Sequence, residues 1–472
     1  MKEMTSAELD DAGRHVMEWI TRYQSDPAGW PVLPSLEPGS FASLLPAAAP
    51  ADGEPISAIL ADFERLVPPA STHWNHPGFF AYFSSSSSAP GVLAEALTAA
   101  LNVNAMLWRT GPAATELEEV TLRWLAQLVG LPASLDGTIN DTASTSTLHA
   151  LAAAREAADL RVREHGLAGR SDLPKLRVYC SEEAHSSVDK AAVTLGLGLD
   201  GVRRVAADDS YRLDVAALEA AIAEDVAAGI KPIAVVATVG TTSTTSVDPV
   251  REIAAVCKRE KLWLHVDAAY GGAAAVVPEM RSVLDGCELA DSIVINPHKW
   301  MFVPLDCSVL YTCRPDVLKR AFSLVPEYLV TADGARNLMD YGVALGRRFR
   351  ALKLWFVLRY YGANGLADRI REHIRLAQLF ASWVDASPDF ERLAPAPFST
   401  VVFRYRPPGV SDESELERIN TALLARINES GEVYLSHTKA KGRYALRLAI
   451  GNVRTEEQHV AAAWRIIQEV AH

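Results

Sequence analysis

Hydrophobic positions follow several rhythms along this chain. In residues 5–24, Val16, Trp19, Ile20 and Tyr23 recur at helical spacing and predict an amphipathic helix. Between Pro27 and Pro55 the prolines at 31, 34, 38, 46 and 50 forbid continuous helix. A second helix is expected over 55–67, ending at Pro68-Pro69. This opening stretch, residues 1–88, is too thin for a core of its own and is expected to be an arm packed on a partner subunit.

From about residue 89 helices alternate with short apolar runs. Thr115-Glu-Leu-Glu118 has the spacing of a capping box and predicts a helix opening there and running to Leu128. Residues 145–165 are rich in Ala and Leu and predict another. Strands are expected at 176–180, 233–238, 262–266, 292–295 and 308–311, with one more at 202–206. Apolar strands alternating with helices predict a mostly parallel sheet covered on both faces, with ligands at the carboxyl ends of the strands. Residues 323–345 are polar and irregular, a candidate mobile loop, and a helix is expected from Gly346 to about Tyr361, stopping at Gly362. The expected large unit spans 89–362. Residues 363–472 read as a small α+β domain, with strands at 399–404, 433–435 and 445–449, a helix at 413–428 and a terminal helix.

Composition narrows the classes. The 472 residues are 49% hydrophobic and 22% charged, ordinary for a globular protein, and the net charge of −12 argues against a nucleic-acid partner. Cys180, Cys257, Cys287, Cys307 and Cys313 are odd in number, with scattered spacing and no CxxC pair. They suggest neither a disulfide framework nor a metal site. The first residues lack the apolar core of a signal peptide, and no run is long enough to span a bilayer. A cytoplasmic protein without membrane attachment is expected.

Chemistry gathers at the predicted strand ends. Gly196-Leu-Gly-Leu-Asp-Gly201 matches GxGxxG, but a helix precedes it and a strand follows, the reverse of a dinucleotide fingerprint. By contrast, strand 262–266 runs into Asp267 and strand 292–295 into Asn296-Pro-His298-Lys299-Trp300. Strand 176–180 leads to Ala184-His185, and 233–238 to Val239-Gly240. Alone, Asp267 is better read as a helix cap or a surface residue. Lys299, flanked by His298 and Trp300, is poorly placed for solvation, and a buried lysine of lowered pKa suits Schiff-base chemistry. An aspartate across a pocket from such a lysine can keep a pyridine nitrogen protonated. The hydroxyl-rich Asp141–Thr147 opens a helix and offers an anion site, or else an ordinary N-cap. Taken together, anion cradle, acidic strand end and buried lysine describe a pyridoxal 5'-phosphate site.

The chain also resembles the group II pyridoxal-phosphate decarboxylases, and most nearly the aromatic-L-amino-acid decarboxylases. The resemblance is carried by EPG at 37–39, Leu45-Pro-Ala-Ala-Ala-Pro50, THWNHPGFFAYF at 72–83, ATELEEV at 114–120 and AHSSVDKA at 184–191. It continues through VATVGTT at 236–242, LHVDAAYGG at 264–272, NPHKW at 296–300 and GRRFRALKLWFVLRYYG at 346–362. It implies the type I pyridoxal-phosphate (aspartate aminotransferase-like) fold, with a mostly parallel seven-stranded sheet.

Carried over by position, the resemblance implies that Lys299 bears the cofactor and Asp267 pairs with its ring nitrogen. His185 stacks on the ring and Ala269 packs on the opposite face. Ala143 and Ser144 hold the phosphate with Asn296 and His298 nearby, and Thr238 lies beside the ring hydroxyl. Ser85 stands near the substrate carboxylate, and Trp74, Tyr82 and Phe83 line the substrate side, although all three aromatics could be plain core. Tyr328, in the 323–345 loop, returns a proton to Cα. Members are homodimers with the site at the subunit interface, so Asn104, Met106 and Gly346 reach it from the partner. His185 also fits a simple cap before Ser186.

There are departures. Ser85 replaces a threonine, Met106 replaces a phenylalanine of animal members, the phosphate loop opens with Asp141-Thr142, and the segment from Tyr341 to Gly346 is short. In plant members a glycine at the place of Gly346 goes with indole substrates. A rival within the family forms an aldehyde instead of an amine, a switch tied to loss of the loop tyrosine or the stacking histidine; this chain keeps both. A decarboxylase of acidic or basic amino acids is a second rival, with only Arg109 as an obvious charged partner. A non-catalytic member would be expected to lose Lys299 or Asp267.

Overall fold

The computed structural model of the chain describes residues 3–324 and 335–471. Seven strands form the main sheet: β1 (Asp136–Asn140), β2 (Leu176–Ser181), β3 (Val202–Val205), β4 (Lys231–Thr238), β5 (Trp263–Asp267), β6 (Ser292–Ile295) and β7 (Ser308–Thr312). Their order is β1-β7-β6-β5-β4-β2-β3. Neighbours pair in parallel except at β7, which runs against both β1 and β6. The mostly parallel sheet expected from the sequence is present.

Its strands are apolar on both faces because both faces are covered. Val178, Cys180, Ala234, Val236 and Trp263 join one core with Ala150, Leu151, Ala153 and Ala154 of a helix over Ala143–Ala157. The alternate residues Tyr179, Val235, Ala237, Leu264 and Val266 join a second core with the helices Pro112–Val129 and Val250–Glu260. One sheet thus separates two hydrophobic layers by the period-two alternation of its side chains.

The helices before the sheet are α1 (Ser6–Ser25), α2 (Ile56–Leu66), α3 (Ala89–Leu101) and α4 (Pro112–Val129), and the helix after β1 is α5 (Ala143–Ala157). No residue of α1 is buried. A second sheet, β10-β11-β9-β8, is built from β8 (Phe390–Arg392), β9 (Thr400–Tyr405), β10 (Ser436–Ala440) and β11 (Arg443–Ala449). It has its own core, into which Phe80 from the opening stretch inserts.

Several local expectations are corrected. Thr115 and Glu118 make no capping box, because α4 starts at Pro112, where proline's fixed φ suits the first turn. Thr115 instead donates to the Gly111 carbonyl, and Glu118 is buried against Arg347 and the Ile139 amide. The helix expected over 145–165 is α5, ending at Ala157, followed by a short turn Val162–His165. The helix expected from Gly346 begins at Ala351. It breaks at Gly362, whose φ of 63° lies outside helical space, then resumes to Ala386. Residues 433–435 make only an isolated bridge through Tyr434 to Phe79, and the strand follows at Ser436–Ala440. β1 and β8 had no counterpart in the sequence reading.

Candidate active site

Thr238, Asp267 and Val294 lie side by side in one row across β4, β5 and β6, so three strands end together. Val294 packs with Ala143, the first residue of α5, and with Ala269 just beyond β5. The start of α5, the end of β5 and the end of β6 therefore meet at one sheet edge, where a parallel sheet places its ligands.

Each predicted side chain is held there by local chemistry. Asp267 is buried, and its Oδ1 accepts the Ala269 amide at 3.1 Å. Lys299 sits in the single helical turn Pro297–Trp300 directly after β6 and Asn296. Burial pushes its amine below the ordinary lysine value, Asp267 works against this shift and Arg447 adds to it. His185 follows β2, and its Nδ1 accepts the Ser187 amide at 3.1 Å. The ring is therefore neutral with its proton on Nε2, and burial lowers its pKa, with Asp267 opposing and Lys299 assisting. The capping contact weighed for His185 thus exists, and the same ring also senses Asp267 and Lys299.

The anion cradle is present as backbone. Thr142 stands at the N-cap of α5 with no side-chain hydrogen bond to the first turn, and Asp141 Oδ1 accepts the Thr142 amide at 2.6 Å and the Thr142 hydroxyl at 3.5 Å. The first amides of a helix have no partner within it. Here, beside Ala143 and the half-buried Ser144, the N-cap side chain does not cap them. Thr238 is held by Asp248, whose two carboxylate oxygens accept the Thr238 amide at 2.7 Å and the Leu213 amide at 2.8 Å. His298 Nδ1 accepts the Cys307 amide at 2.9 Å, and its Nε2 meets the Asn296 amide group at 3.4 Å.

Among the described residues, Thr238 Oγ1 and Asn296 Oδ1 are buried without a hydrogen-bond partner. Such atoms are costly to leave unsatisfied. With the uncapped α5 terminus and the low-pKa lysine, they fit a molecule carrying a phosphate, a ring hydroxyl and an aldehyde, which pyridoxal phosphate presents.

An aromatic wall stands over the lysine. Lys299 Nζ lies 5.3 Å from the Phe83 ring centre, Phe83 stacks on Tyr270 at 3.8 Å, and Tyr270 stacks on Trp300 at 4.7 Å. Trp74 and Tyr82 stack at 6.0 Å and are 39% and 52% exposed, so neither is plain core. Tyr82 contacts Tyr434 through their hydroxyls at 3.0 Å. Ser85 is half-buried on the same segment. Asn104 and Gly346 are exposed and line a separate cavity of about 530 Å³, while Met106 packs on Leu107 and Met339. That group is anchored from behind by the buried Arg347–Glu118 ion pair, at 2.8 Å. Tyr328 lies outside the described residues.

Two residues were missed. Tyr270 stood inside a quoted motif without a role. Arg447, 3% exposed, reaches the Phe83 ring at 4.5 Å from β11. Its signal was a cation set in an otherwise apolar strand, Ala445-Leu-Arg-Leu-Ala449.

Comparison with known proteins agrees with this geometry. The family model for the pyridoxal-dependent decarboxylase conserved domain matches residues 38–406. Tyrosine decarboxylase 3 of Petroselinum crispum is 40% identical, covering 100% of this chain and 93% of its own. Phenylacetaldehyde synthase of Arabidopsis thaliana is also 40% identical, covering 100% and 97%. The crystal structure of Oryza sativa TDC with PLP and tryptamine superposes with a TM-score of 0.95 at 36% identity, covering 100% of this chain and 99% of that one. The mostly parallel seven-stranded sheet and the small second sheet are therefore those of the type I pyridoxal-phosphate fold, and the chain belongs to the pyridoxal-dependent decarboxylase family.

Proposed function

We propose that the protein decarboxylates aromatic L-amino acids to the corresponding arylalkylamines and carbon dioxide. The observation that carries this reading is the convergence of Lys299, Asp267 and the uncapped start of α5 at one edge, under the aromatic wall of Phe83. Pyridoxal phosphate, when bound, supplies an electron sink for the pair left behind as carbon dioxide departs.

The chain's own residues would do the rest. Lys299 holds the cofactor through its amine, and Asp267 keeps a proton on the ring nitrogen by its negative charge. His185 would meet the ring with its imidazole and Ala269 with a small methyl group. The α5 amides with Ala143, Ser144, Asn296 and His298 hold the phosphate, and Thr238 meets the ring hydroxyl. Ser85 orients the substrate carboxylate, and Trp74, Tyr82 and Phe83 exclude water around an aromatic side chain. Tyr328 delivers a proton to Cα.

A homodimer completes the site in this reading. The exposure of Asn104 and Gly346, the unburied α1, and exposed Leu9, Val16 and Met17 on α1 and Leu93, Leu97 and Leu101 on α3 support it, since exposed apolar surface calls for a cover. The three-part division 1–88, 89–362 and 363–472 goes with it, as does a cytoplasmic location. Among the described residues no helix is long and apolar enough to cross a membrane.

Arg109 is exposed, which weakens the reading as a decarboxylase of acidic amino acids. The aldehyde-forming reading is kept because a phenylacetaldehyde synthase is as similar as a tyrosine decarboxylase. Amine formation is favoured by the presence of both Tyr328 and His185. The test is a panel of L-tryptophan, L-tyrosine, L-phenylalanine, L-glutamate and L-lysine, with amine, aldehyde and peroxide measured together. Amines from the aromatic members alone are expected. Turnover confined to glutamate or lysine, or aldehyde with peroxide as the main product, contradicts the proposal.

A further inference from the structure

Arg447 sits in mid-strand on β11. Its Nε donates to the Ser243 carbonyl at 3.2 Å, its Nη1 donates to the Tyr82 carbonyl, and its Nη2 is buried with no hydrogen-bond partner among the described residues. The other buried arginines are neutralised, Arg347 by Glu118 and Arg404 by Glu391 and Glu413. Arg447 has no carboxylate partner of this kind among the described residues. An isolated buried charge is expensive. Burial lowers the guanidinium pKa to about 10, with Tyr270 opposing, so the group still carries its charge at neutral pH.

That charge lies against the same ring as the lysine. The Arg447 guanidinium carbon is 4.5 Å from the Phe83 centre and Lys299 Nζ is 5.3 Å from it. Asp267 on β5 also faces Lys299, as do the rings of His185 and His298. Burial lowers the pKa of both rings, and among the described residues the charges acting on the amine are Asp267 and Arg447. The two have opposite effects.

We propose that Arg447 is a positioning residue for the reaction. It ties the Tyr82–Phe83 wall to the loop at Ser243, and its uncompensated charge opposes protonation of the Lys299 nitrogen. This rests on the assignment of Lys299 as the cofactor lysine. A like charge nearby disfavours the charged form of an amine or imine nitrogen, so removing it moves the protonation midpoint upward. The two parts of the role separate by substitution: Arg447→Lys keeps the charge, whereas Arg447→Gln keeps hydrogen-bonding capacity and loses it.

The experiment is a pH titration of the visible cofactor absorption in the holoenzyme, with thermal unfolding recorded for each variant. Arg447→Gln is expected to raise the midpoint by about one pH unit, and Arg447→Lys to return it close to that of the unmutated protein. Arg447→Met, which drops both charge and unpaired donor, is expected to behave as the glutamine variant and serves where that variant does not fold. An unmoved midpoint in the charge-free variants overturns the proposal, as does a lysine variant that behaves like the glutamine one. Lys299→Ala is titrated alongside. If it keeps the lysine-bound absorption band, the assignment of Lys299 fails and the proposal with it; if it loses the band, an unmoved Arg447 midpoint counts against Arg447 alone.

Discussion

Asp267 and Asn differ by a charge and little in shape, so Asp267→Asn isolates the electrostatic part of the site. The variant is expected to fold and retain some cofactor while losing at least about 100-fold in turnover, the scale for removing a preorganised charge. Near-normal turnover would show that another group protonates the ring. Tyr328→Phe is expected to shift product from amine toward aldehyde and peroxide with a stability change within about 0.5 kcal/mol. Amine alone at the original rate removes Tyr328 from the mechanism. At this scale the sequence was informative where chemistry is local. NPHKW placed Lys299 at a strand end, and the structure leaves Lys353, another buried lysine, ion-paired to Glu95. Arg447 was hidden because its meaning depends on β11 meeting Phe83 across more than 360 residues.

Among elements, the apolar strands and the helices between them were legible because burial on both faces writes continuous hydrophobic runs. β1 was not. Asp136-Gly-Thr-Ile-Asn140 is short and polar and pairs only with β7 at the sheet edge. The motif at 115–118 misled for a related reason, since its glutamate serves a tertiary partner and not its own helix terminus. Glu118 binds Arg347 and the Ile139 amide together, joining α4, β1 and the segment that carries Gly346. Glu118→Gln leaves a buried guanidinium without its counter-charge and is expected to cost about 3–5 kcal/mol in urea unfolding. A loss below about 1 kcal/mol would mean the pair is not what holds these elements.

Over the whole molecule, buried histidines set how the fold answers to acid. Burial lowers His149, His265 and His298 to about 4 and His373 to about 3. The unfolded chain protonates these rings near 6.5, so the unfolded state binds more protons below that pH. Their stabilising contribution is complete above pH 6.5 and falls as pH drops toward 4, by about 1.4 kcal/mol per pH unit for each ring. Asp248, pushed up to about 7 by burial, works in the opposite direction between about 4 and 7. Unfolding free energies at pH 7, 5.5 and 4.5 should therefore decline steadily; a flat profile contradicts these burial effects.

The central claim is that this molecule gathers its chemistry at the carboxyl edge of one sheet, on Lys299. Borohydride reduction of the cofactor-loaded protein, followed by peptide mass mapping, tests it most directly. The account predicts a single reduced cofactor adduct on the peptide bearing Lys299. An adduct on Lys190 or Lys353, or none at all, would contradict it.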